Sequence, residues 1–210
     1  LSTKVPFVIV VDALHSRLYV MTHAASAGTQ ESSKGLQVVF ESYMSVGQRG
    51  IGKQQKGDGK TPLGVYVIQK SYPGHVLPDL YGSGALTLNY PNDLDILDGK
   101  TGSGIWIHGS PSEQYARAPE ATDGCVVLAN PDLERIIQTV EIRSTPVVIA
   151  SRLQWVSSQG ARMESKPFED VLTASTKAIA MPIKIKLLNC SVYAIRPAIT
   201  KFNHLREVGF

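Results

Sequence analysis

Short apolar segments separated by turn-forming residues fill residues 1 to about 151, and this pattern constrains the fold more than any other feature. The segments are FVIVVD, RLYVMTH, LQVVFESYMSVG, VYVIQK, ALTLNYP, GIWIHG and STPVVIAS. Apolar runs of this length, bounded by Gly, Pro, Asn and Asp, are typical of β-strands. The sequence therefore predicts one mainly β domain over residues 1–151, with a hairpin turn at residues 13–15.

A helix is predicted inside this domain over residues 131–140. Asn130 can cap a helix through its side chain, and Pro131 fits the first helical position. Apolar residues then recur at helical spacing, at positions 133, 136, 137 and 140. The stretches 47–64 and 93–104 are rich in Gly, Lys and Asp and are predicted to be loops, the first of them basic and solvent-exposed.

Residues 152–210 differ in character and are predicted to form an extension that is α/β or undefined in fold. A connector leads to a helix predicted from Pro167, and residues 183–187 alternate like a strand. The extension is interpreted as a connector plus helix and tail, and a truncated second domain, a lid and a packing arm all stay open as its role.

Composition excludes two classes of function. The formal net charge is only +3, and Lys and Arg are spread along the chain, whereas a nucleic-acid-binding surface concentrates them. Nowhere do about 18 apolar residues follow one another, so no transmembrane segment is predicted. The opening LSTKVPFVIVVDA lacks the order of a signal peptide and is interpreted as a strand at the start of a mature or trimmed chain.

Two further types of ligand are not expected from the motifs. The segment GKQQKGDGKT lacks the spacing of a phosphate-binding loop, so no nucleotide is expected. His15, His23, His75 and His204 lack the spacing of metal ligands, so no metal site is expected. The sequence leaves the oligomeric state undetermined.

Cys125 has the strongest chemical context in the chain. It directly follows Gly124, and His108 precedes it at the end of a predicted strand. A neighbouring imidazole and oriented backbone N–H groups lower the pKa of a thiol and make it a better nucleophile. A glycine allows the sharp turn that exposes such N–H groups. Taken alone, however, a Cys and a His are weak evidence, because a free Cys is usually a small buried apolar residue.

Four segments follow one another in the order DGKTPLGVYVI, YGSGALTLNYPND, TGSGIWIHG and ATDGCVVL. This order resembles the YkuD-type L,D-transpeptidase catalytic domain, a family of bacterial cell-wall enzymes, from about Phe7 to Ala150. The family motif is a His, a gap, Ser or Thr, a variable residue and Gly-Cys. Here the matching positions are His108, Thr122, Asp123, Gly124 and Cys125. The resemblance implies a β-sandwich or partly open barrel of the L,D-transpeptidase type, with a helix after the Cys loop.

The resemblance also implies a reaction. Cys125 attacks the carbonyl that joins the third, L-centred residue of a peptidoglycan stem tetrapeptide to its terminal D-Ala, forming a thioester and releasing D-Ala. His108 is the general base, oriented by the backbone carbonyl of Gly109. The N–H groups of Asp123, Gly124 and Cys125 form the oxyanion hole. The resemblance implies no metal and no organic cofactor, and it implies a location in the periplasm or cell envelope.

Two positions depart from the family pattern. Asp123 stands where His is frequent, and Val127 stands where Arg or Asn is frequent. Three functions therefore stay open: an L,D-transpeptidase, an L,D-carboxypeptidase in which water replaces the acceptor amine, and a noncatalytic cell-wall-binding module. Asp123 is equally compatible with a turn carboxylate that accepts backbone N–H groups.

Four residues are predicted to contact the substrate. They are Arg117, Trp106, Tyr90 and Thr122. Arg117 can hold a carboxylate with two N–H bonds, and an exposed loop arginine is the alternative. Trp106 shares a strand face with the predicted base, so its ring can line the site, with core packing as the alternative. The second cysteine, Cys190, is interpreted as structural.

Overall fold

The computed structural model describes residues 6–23, 36–154, 184–187 and 190–193. Its strands are β1 Phe7–Asp12, β2 Arg17–His23, β3 Leu36–Gly47, β4 Gly64–Pro73, β5 Gly84–Leu88, β6 Trp106–His108, β7 Glu120–Thr122, β8 Val126–Leu128, β9 Pro146–Ala150, β10 Leu153–Gln154, β11 Lys184–Leu187 and β12 Cys190–Tyr193. Its helices are α1 Asp93–Leu97 and α2 Asn130–Thr139, with 3₁₀ turns at Gly74–Val76 and Asp79–Tyr81.

Nine strands of the described residues form one closed sheet. Their order is β2-β1-β9-β4-β5-β6-β8-β3-β7, and β2 also pairs with β3. The predicted hairpin is present, with Phe7 opposite Thr22 and Asp12 opposite Arg17. β9 returns to lie parallel to β1 and antiparallel to β4. The prediction of a mainly β domain is confirmed, and the β2–β3 pairing closes the sheet instead of leaving it partly open.

Alternate strand residues build a single apolar core. Its largest fully buried side chains include Tyr66, Ile9, Leu18, Met44, Ile107 and Ile149. Burying one side chain of this size stabilises a fold by roughly 1.5–3 kcal/mol. A slip of one residue in any strand would turn such side chains out of the core, so the core fixes the strand register.

The parallel strands β6 and β8 carry the two motif residues at their ends. Ile107 lies opposite Val126 and His108 opposite Val127. β5 flanks β6 on its other side, with Ala85 opposite His108, and β3 flanks β8. Because both strands have neighbours on each side, the ends from which the site is built are held by the sheet.

The start of α2 uses Asn130 differently from the prediction. The cap residue is Ala129, which makes no side-chain cap bond, and Pro131 lies in the first turn. The Asn130 side chain instead accepts from the Ser83 N–H at 2.9 Å and donates to the Ser110 carbonyl at 3.0 Å. The predicted capping role is therefore wrong, because this side chain joins two loops near the end of β6.

The predicted loop at residues 93–104 begins with the short helix α1. Asn92 and Asp95 form a reciprocal capping box at its start. Asp95 is 3% exposed and its carboxylate pairs with the Lys100 ammonium at 2.8 Å. The prediction missed this turn because Asp replaces the more usual Glu or Gln of a capping box.

The basic loop between β3 and β4 is not fully solvated, in contrast to the prediction. Lys53 is only 4% exposed, and its Nζ donates to Asp58 Oδ1 at 2.7 Å and to the Gln55 carbonyl at 3.0 Å. Backbone N–H groups of Gln54, Gln55 and Lys60 also donate to the Asp58 carboxylate. Partial burial acts in the opposite direction, but these bonds hold the pKa of Asp58 well below its usual range. The loop is thus organised around a partly buried ion pair.

The chain divides into two compact units. The first comprises Leu1–Thr22 and Gln37–Arg152, and the second comprises His23–Leu36 and Leu153–Phe210. In the second unit, β10, β11 and β12 form an antiparallel sheet. β11 falls on the residues whose alternation predicts a strand.

Some expectations fall on parts of the chain outside the described residues. They concern the helix from Pro167 and the side chain of Cys190. Within the described ranges, no helix has both the length and the apolar character needed to cross a membrane.

Candidate active site

Cys125, His108 and Trp106 lie on one face of the sheet. Because β6 and β8 are parallel and Cys125 directly precedes β8, the register places it beside Trp106. Side chains alternate along a strand, so Trp106 and His108 share the face opposite to the core residue Ile107. The Tyr81 ring lies 4.9 Å from the Trp106 ring and 5.0 Å from the His108 ring, between centroids. The fold thus brings the Cys and the His of the sequence motif to neighbouring positions on one surface.

The imidazole of His108 is buried and held by a backbone carbonyl. It is 4% exposed, and its Nδ1 lies 2.8 Å from the Gly109 oxygen. A carbonyl oxygen can only accept, so Nδ1 carries the proton and Nε2 is the basic nitrogen. Burial lowers the pKa of His108 from 6.5 to about 4, the Gly109 carbonyl opposes this shift, and the charge of Arg117 adds to it. His108 is therefore an uncharged base at neutral pH.

Aromatic rings cover the His108 side of the site. Tyr81 packs edge-on against His108, and Trp106 packs between Tyr81 and Tyr72, with 6.0 Å between the Trp106 and Tyr72 centroids. The Tyr81 carbonyl also accepts a hydrogen bond from the Gly109 N–H at 3.1 Å. Tyr81 therefore both shields the imidazole of His108 and fixes Gly109, whose carbonyl orients that imidazole. Trp106 is partly exposed, which fits a wall of the site better than the core alternative.

Hydrogen bonds fix the backbone immediately before Cys125. Thr122 Oγ1 accepts from the Gly124 N–H at 3.0 Å and donates to the Cys125 carbonyl at 2.8 Å. The fully buried Thr61 donates to the Gly124 carbonyl at 2.9 Å. The Thr122 hydroxyl, which is predicted to contact the substrate, makes both of these bonds inside the loop and supports it. The Gly124 N–H, which is predicted to donate to an oxyanion, donates within the same loop.

Gly124 occupies a position that has no room for a side chain. Its φ is +126°, and a Cβ there would lie 2.6 Å from the Lys60 carbonyl oxygen and 3.2 Å from Ile105 Cδ1. We expect Gly124→Ala to lower the free energy of unfolding, measured in urea, by about 2–4 kcal/mol. Gly57→Ala is the matched control, because Gly57 has φ +77° but a Cβ added there would meet no atom within 4 Å. It should show only the backbone strain, about 1 kcal/mol, and equal losses in the two variants would contradict the expected clash.

The Cys125 side chain is a free thiol that is partly exposed. Its Sγ lies 3.5 Å from the Gly104 carbonyl oxygen. Burial raises the pKa of Cys125, a hydrogen bond from the Trp106 backbone opposes the shift, and the Asp123 carboxylate adds to it. With an uncharged His108 beside it, the resting pair is a thiol and a neutral imidazole. The thiol proton must therefore move to the imidazole as the sulfur attacks.

Arg117 lies close to this pair. Its positive charge lowers the pKa of both His108 and Cys125. Its Nη1 donates to the Ala121 carbonyl at 3.3 Å, and its own carbonyl accepts from the Tyr43 hydroxyl at 2.8 Å. Its Nε is buried and has no hydrogen-bond partner in the described part of the chain. The partly buried guanidinium fits the predicted carboxylate partner better than the alternative of an exposed loop arginine.

Tyr90, which is predicted to contact the substrate, is buried in the core. It is 5% exposed, and its hydroxyl donates to the Thr101 carbonyl at 3.2 Å. Burial, with the charges of Asp95 and Asp58, raises the pKa of Tyr90 to about 12. Since Thr101 lies on the loop that brings Gly104 to the thiol, this placement indicates a supporting role.

The Asp123 carboxylate is exposed next to Cys125. Its Oδ1 accepts from Gln48 Nε2 at 2.8 Å. Gln48 is uncharged, so this bond does not pair the carboxylate with a cation. This donor is a side chain of the β3–β4 loop. If Asp123 were a turn carboxylate, its donors would be backbone N–H groups.

Several residues that build the site have no local sequence signal as site residues. Tyr81 and Asn130 hold the turn after β6, where a Cβ on Gly109 would collide with the Asn130 side chain. Thr61 and Gly104 contact the Cys loop from distant segments. These four residues are uncharged and lie outside the motif, so only the pairing of the strands reveals their roles.

The closed, mainly β domain and its His and Gly-Cys residues together define the class of cell-wall transpeptidases and peptidases. The family model of YkuD, the L,D-transpeptidase catalytic domain, matches residues 6–149, and the chain belongs to this family. The resemblance seen in the sequence is thereby confirmed.

Two solved structures are similar to the chain over most of its length. Bd1075 of Bdellovibrio bacteriovorus is 28% identical with a TM-score of 0.64, and the match covers 80% of this chain and 56% of that one. Pgp2 of Campylobacter jejuni, described as a helical cell shape determining protein, is 26% identical with a TM-score of 0.60, over 82% and 58% of the two chains. The chain thus spans a little over half the length of these relatives. No curated protein matches it.

Proposed function

We propose that this chain is a peptidoglycan L,D-transpeptidase that works through a thioester on Cys125. The observation that carries the proposal is the placement of Cys125 and His108 on one face, at the ends of two paired strands, in a domain of the L,D-transpeptidase family. The donor substrate is a stem tetrapeptide, and the bond attacked joins its third, L-centred residue to the terminal D-Ala.

In the acylation step, His108 Nε2 takes the proton of the Cys125 thiol while Sγ bonds to the carbonyl carbon. The N–H groups of Asp123 and Cys125 are the proposed donors to the oxyanion, since Gly124 donates its N–H within the loop. As the tetrahedral intermediate collapses, the carbon–nitrogen bond breaks and the imidazolium gives its proton to the departing amine. The products are a thioester and free D-Ala.

In the second step, an amine of a neighbouring stem peptide attacks the thioester. His108 accepts the amine proton and returns a proton to Sγ as the carbon–sulfur bond breaks, which gives a cross-link and the free thiol. The exposed Asp123 carboxylate supports an amine acceptor, because its charge attracts a cationic group to the mouth of the site. Water in place of the amine would release a tripeptide, the reaction of an L,D-carboxypeptidase.

Because the proposed substrate is part of the cell wall, we propose that the enzyme acts in the periplasm or cell envelope. We also propose that its reaction influences cell shape. The similarity to Pgp2, a cell shape determining protein by its description, supports that link. The extension beyond residue 151 is proposed to belong to a part of the protein other than the catalytic domain.

Incubation with a purified tetrapeptide muropeptide tests the proposed function. We expect liquid chromatography with mass spectrometry to show a cross-linked dimer and free D-Ala, with no product from Cys125→Ala. A tripeptide with free D-Ala and no dimer would identify an L,D-carboxypeptidase. Unchanged muropeptide would leave the noncatalytic cell-wall-binding module as the function.

A further inference from the structure

Lys53 is a buried cation inside the β3–β4 loop. It is 4% exposed, and its ammonium is paired with the Asp58 carboxylate at 2.7 Å. Taking a lysine out of water costs free energy even when it is paired, and apolar residues of similar volume often stabilise a fold equally well. Stability alone is therefore a weak explanation for an ion pair at this place, and the contacts of the loop offer a better one.

One side of the β3–β4 loop supports the backbone before the nucleophile. The Lys53 N–H donates to the Thr61 carbonyl at 3.3 Å. The Thr61 hydroxyl in turn donates to the Gly124 carbonyl at 2.9 Å. The Asp58 carboxylate accepts from the Lys60 N–H at 3.2 Å, and the Lys60 carbonyl oxygen lies 2.6 Å from where a Cβ on Gly124 would be. The ion pair thus fixes the segment on which the Cys loop rests.

The other side of the β3–β4 loop holds the α1–β6 loop, residues 98–105. The Gln54 carbonyl accepts from the Thr101 N–H at 2.9 Å. Gly102 lies against the Lys53 side chain, with 3.3 Å between the position of a Cβ on this glycine and Lys53 Cε. Two residues further on, the Gly104 carbonyl oxygen lies 3.5 Å from the sulfur of the nucleophile. The side chain of Lys53 therefore packs under the loop that ends beside that sulfur.

We propose that Lys53 is a positioning residue for the nucleophile: its ion pair with Asp58 joins the two loops that hold the Cys125 sulfur in place for attack. This inference rests on the proposed function, because Lys53 has this role only if Cys125 is the nucleophile. Misplacing a reacting atom by about 1 Å can slow a reaction by about 100-fold. Loss of the ion pair should therefore lower kcat much more than it changes KM.

The charge of Lys53 also acts on the thiol. Burial raises the pKa of Cys125, the Asp123 carboxylate adds to this shift, and the charges of Arg117 and Lys53 oppose it. Replacing Lys53 thus alters the reactivity of the thiol as well as its position, and a test has to measure the two effects separately.

Lys53→Met separates position from reactivity. Methionine fills a similar volume without a charge, so the loops lose the ion pair and keep most of the packing. We expect kcat for release of D-Ala from a stem tetrapeptide to fall by roughly 10- to 100-fold, with KM changed much less. Alkylation of Cys125 by iodoacetamide needs no alignment with a bound substrate and should fall by a much smaller factor. Lys56→Met removes an exposed cation of the same loop and, as the matched control, should keep the ordinary kcat.

Asp58→Asn tests whether the two residues act as one pair. It removes the counter-charge of Lys53, and we expect kcat to fall by a factor similar to that in Lys53→Met. The double variant should lose little more than either single variant, because the losses of two residues in one ion pair are not additive. Additive losses would mean that Lys53 and Asp58 act independently, which would overturn the assignment.

Three further outcomes overturn the assignment. They are an ordinary kcat in Lys53→Met, an equal loss of kcat in Lys56→Met, and a fall in alkylation as large as the fall in kcat, which would place the whole effect in the ionisation of the thiol. Thermal unfolding establishes that each variant is folded. If Lys53→Met is not, Asp58→Asn decides alone by the same comparison of kcat with alkylation. No release of D-Ala by the unaltered protein would instead overturn the proposed function, and this inference with it.

Discussion

Replacing Cys125 with alanine is expected to abolish covalent labelling of the protein by a carbapenem. The strained lactam carbonyl of a carbapenem is an acyl donor that can take the place of the stem peptide at the proposed nucleophile. Sγ lies at the surface of the site as a free thiol, beside the neutral base His108. Intact-mass spectrometry should show one added carbapenem on the unaltered protein and none on Cys125→Ala.

The second cysteine provides the matched control. Cys190→Ala removes the other cysteine of the chain and should leave the adduct in place. Labelling of Cys190 in the unaltered protein, or an adduct that persists in Cys125→Ala, would contradict the assignment of the nucleophile.

The state of the thiol predicts how Cys125 responds to pH. Burial raises the pKa of Cys125, so the free protein holds a thiol and not a thiolate at neutral pH. Alkylation by iodoacetamide, which needs the thiolate and receives no help from a bound substrate, should be slow at pH 7. Its rate should keep rising above pH ~8.5, the range where an ordinary cysteine levels off. A rate that is already maximal at pH 7 would instead indicate a thiolate–imidazolium pair.

The local parts of the fold could be predicted from the sequence. The hairpin of β1 and β2 follows from two alternating apolar runs around a short turn, and α2 from its Pro and its apolar spacing. The closure of the sheet could not be predicted, because the β2–β3 pairing and the parallel pairing of β1 with β9 join segments by long-range contacts. No local sequence pattern in these strands indicates which other strand each one pairs with.

The candidate site likewise contains residues that could be predicted from the sequence and residues that could not. His108 and Cys125 could be found because they belong to one short motif. Tyr81 and Asn130 could not, since their contacts with the turn after β6 come from elsewhere in the chain. The burial of Tyr90 could not be predicted either, because its position before the His strand says nothing about which way its ring points, and the ring packs into the core.

His108→Gln is expected to slow acylation of Cys125 by about 10²- to 10⁴-fold, the usual contribution of a general base. Glutamine keeps a similar size but has no basic nitrogen to receive the thiol proton. Carbapenem acylation followed by rapid-quench mass spectrometry measures the rate. His75→Gln, which alters an exposed histidine on a 3₁₀ turn, is the matched control and should acylate normally. An unchanged rate in His108→Gln would remove His108 from the mechanism.

The same variant should change how stability depends on pH. The pKa of His108 is about 4 in the folded protein against 6.5 ordinarily, so between these values the unfolded chain binds a proton that the folded protein excludes. The stability contributed by the neutral, buried imidazole is present above pH 6.5 and is lost as the pH falls towards 4, by about 3 kcal/mol in all. Urea unfolding at pH 7, 5.5 and 4 should therefore show a steeper loss for the unaltered protein than for His108→Gln. Parallel losses would mean that the pKa of His108 is the same in the folded and unfolded protein, which would contradict the lowering of this pKa by burial.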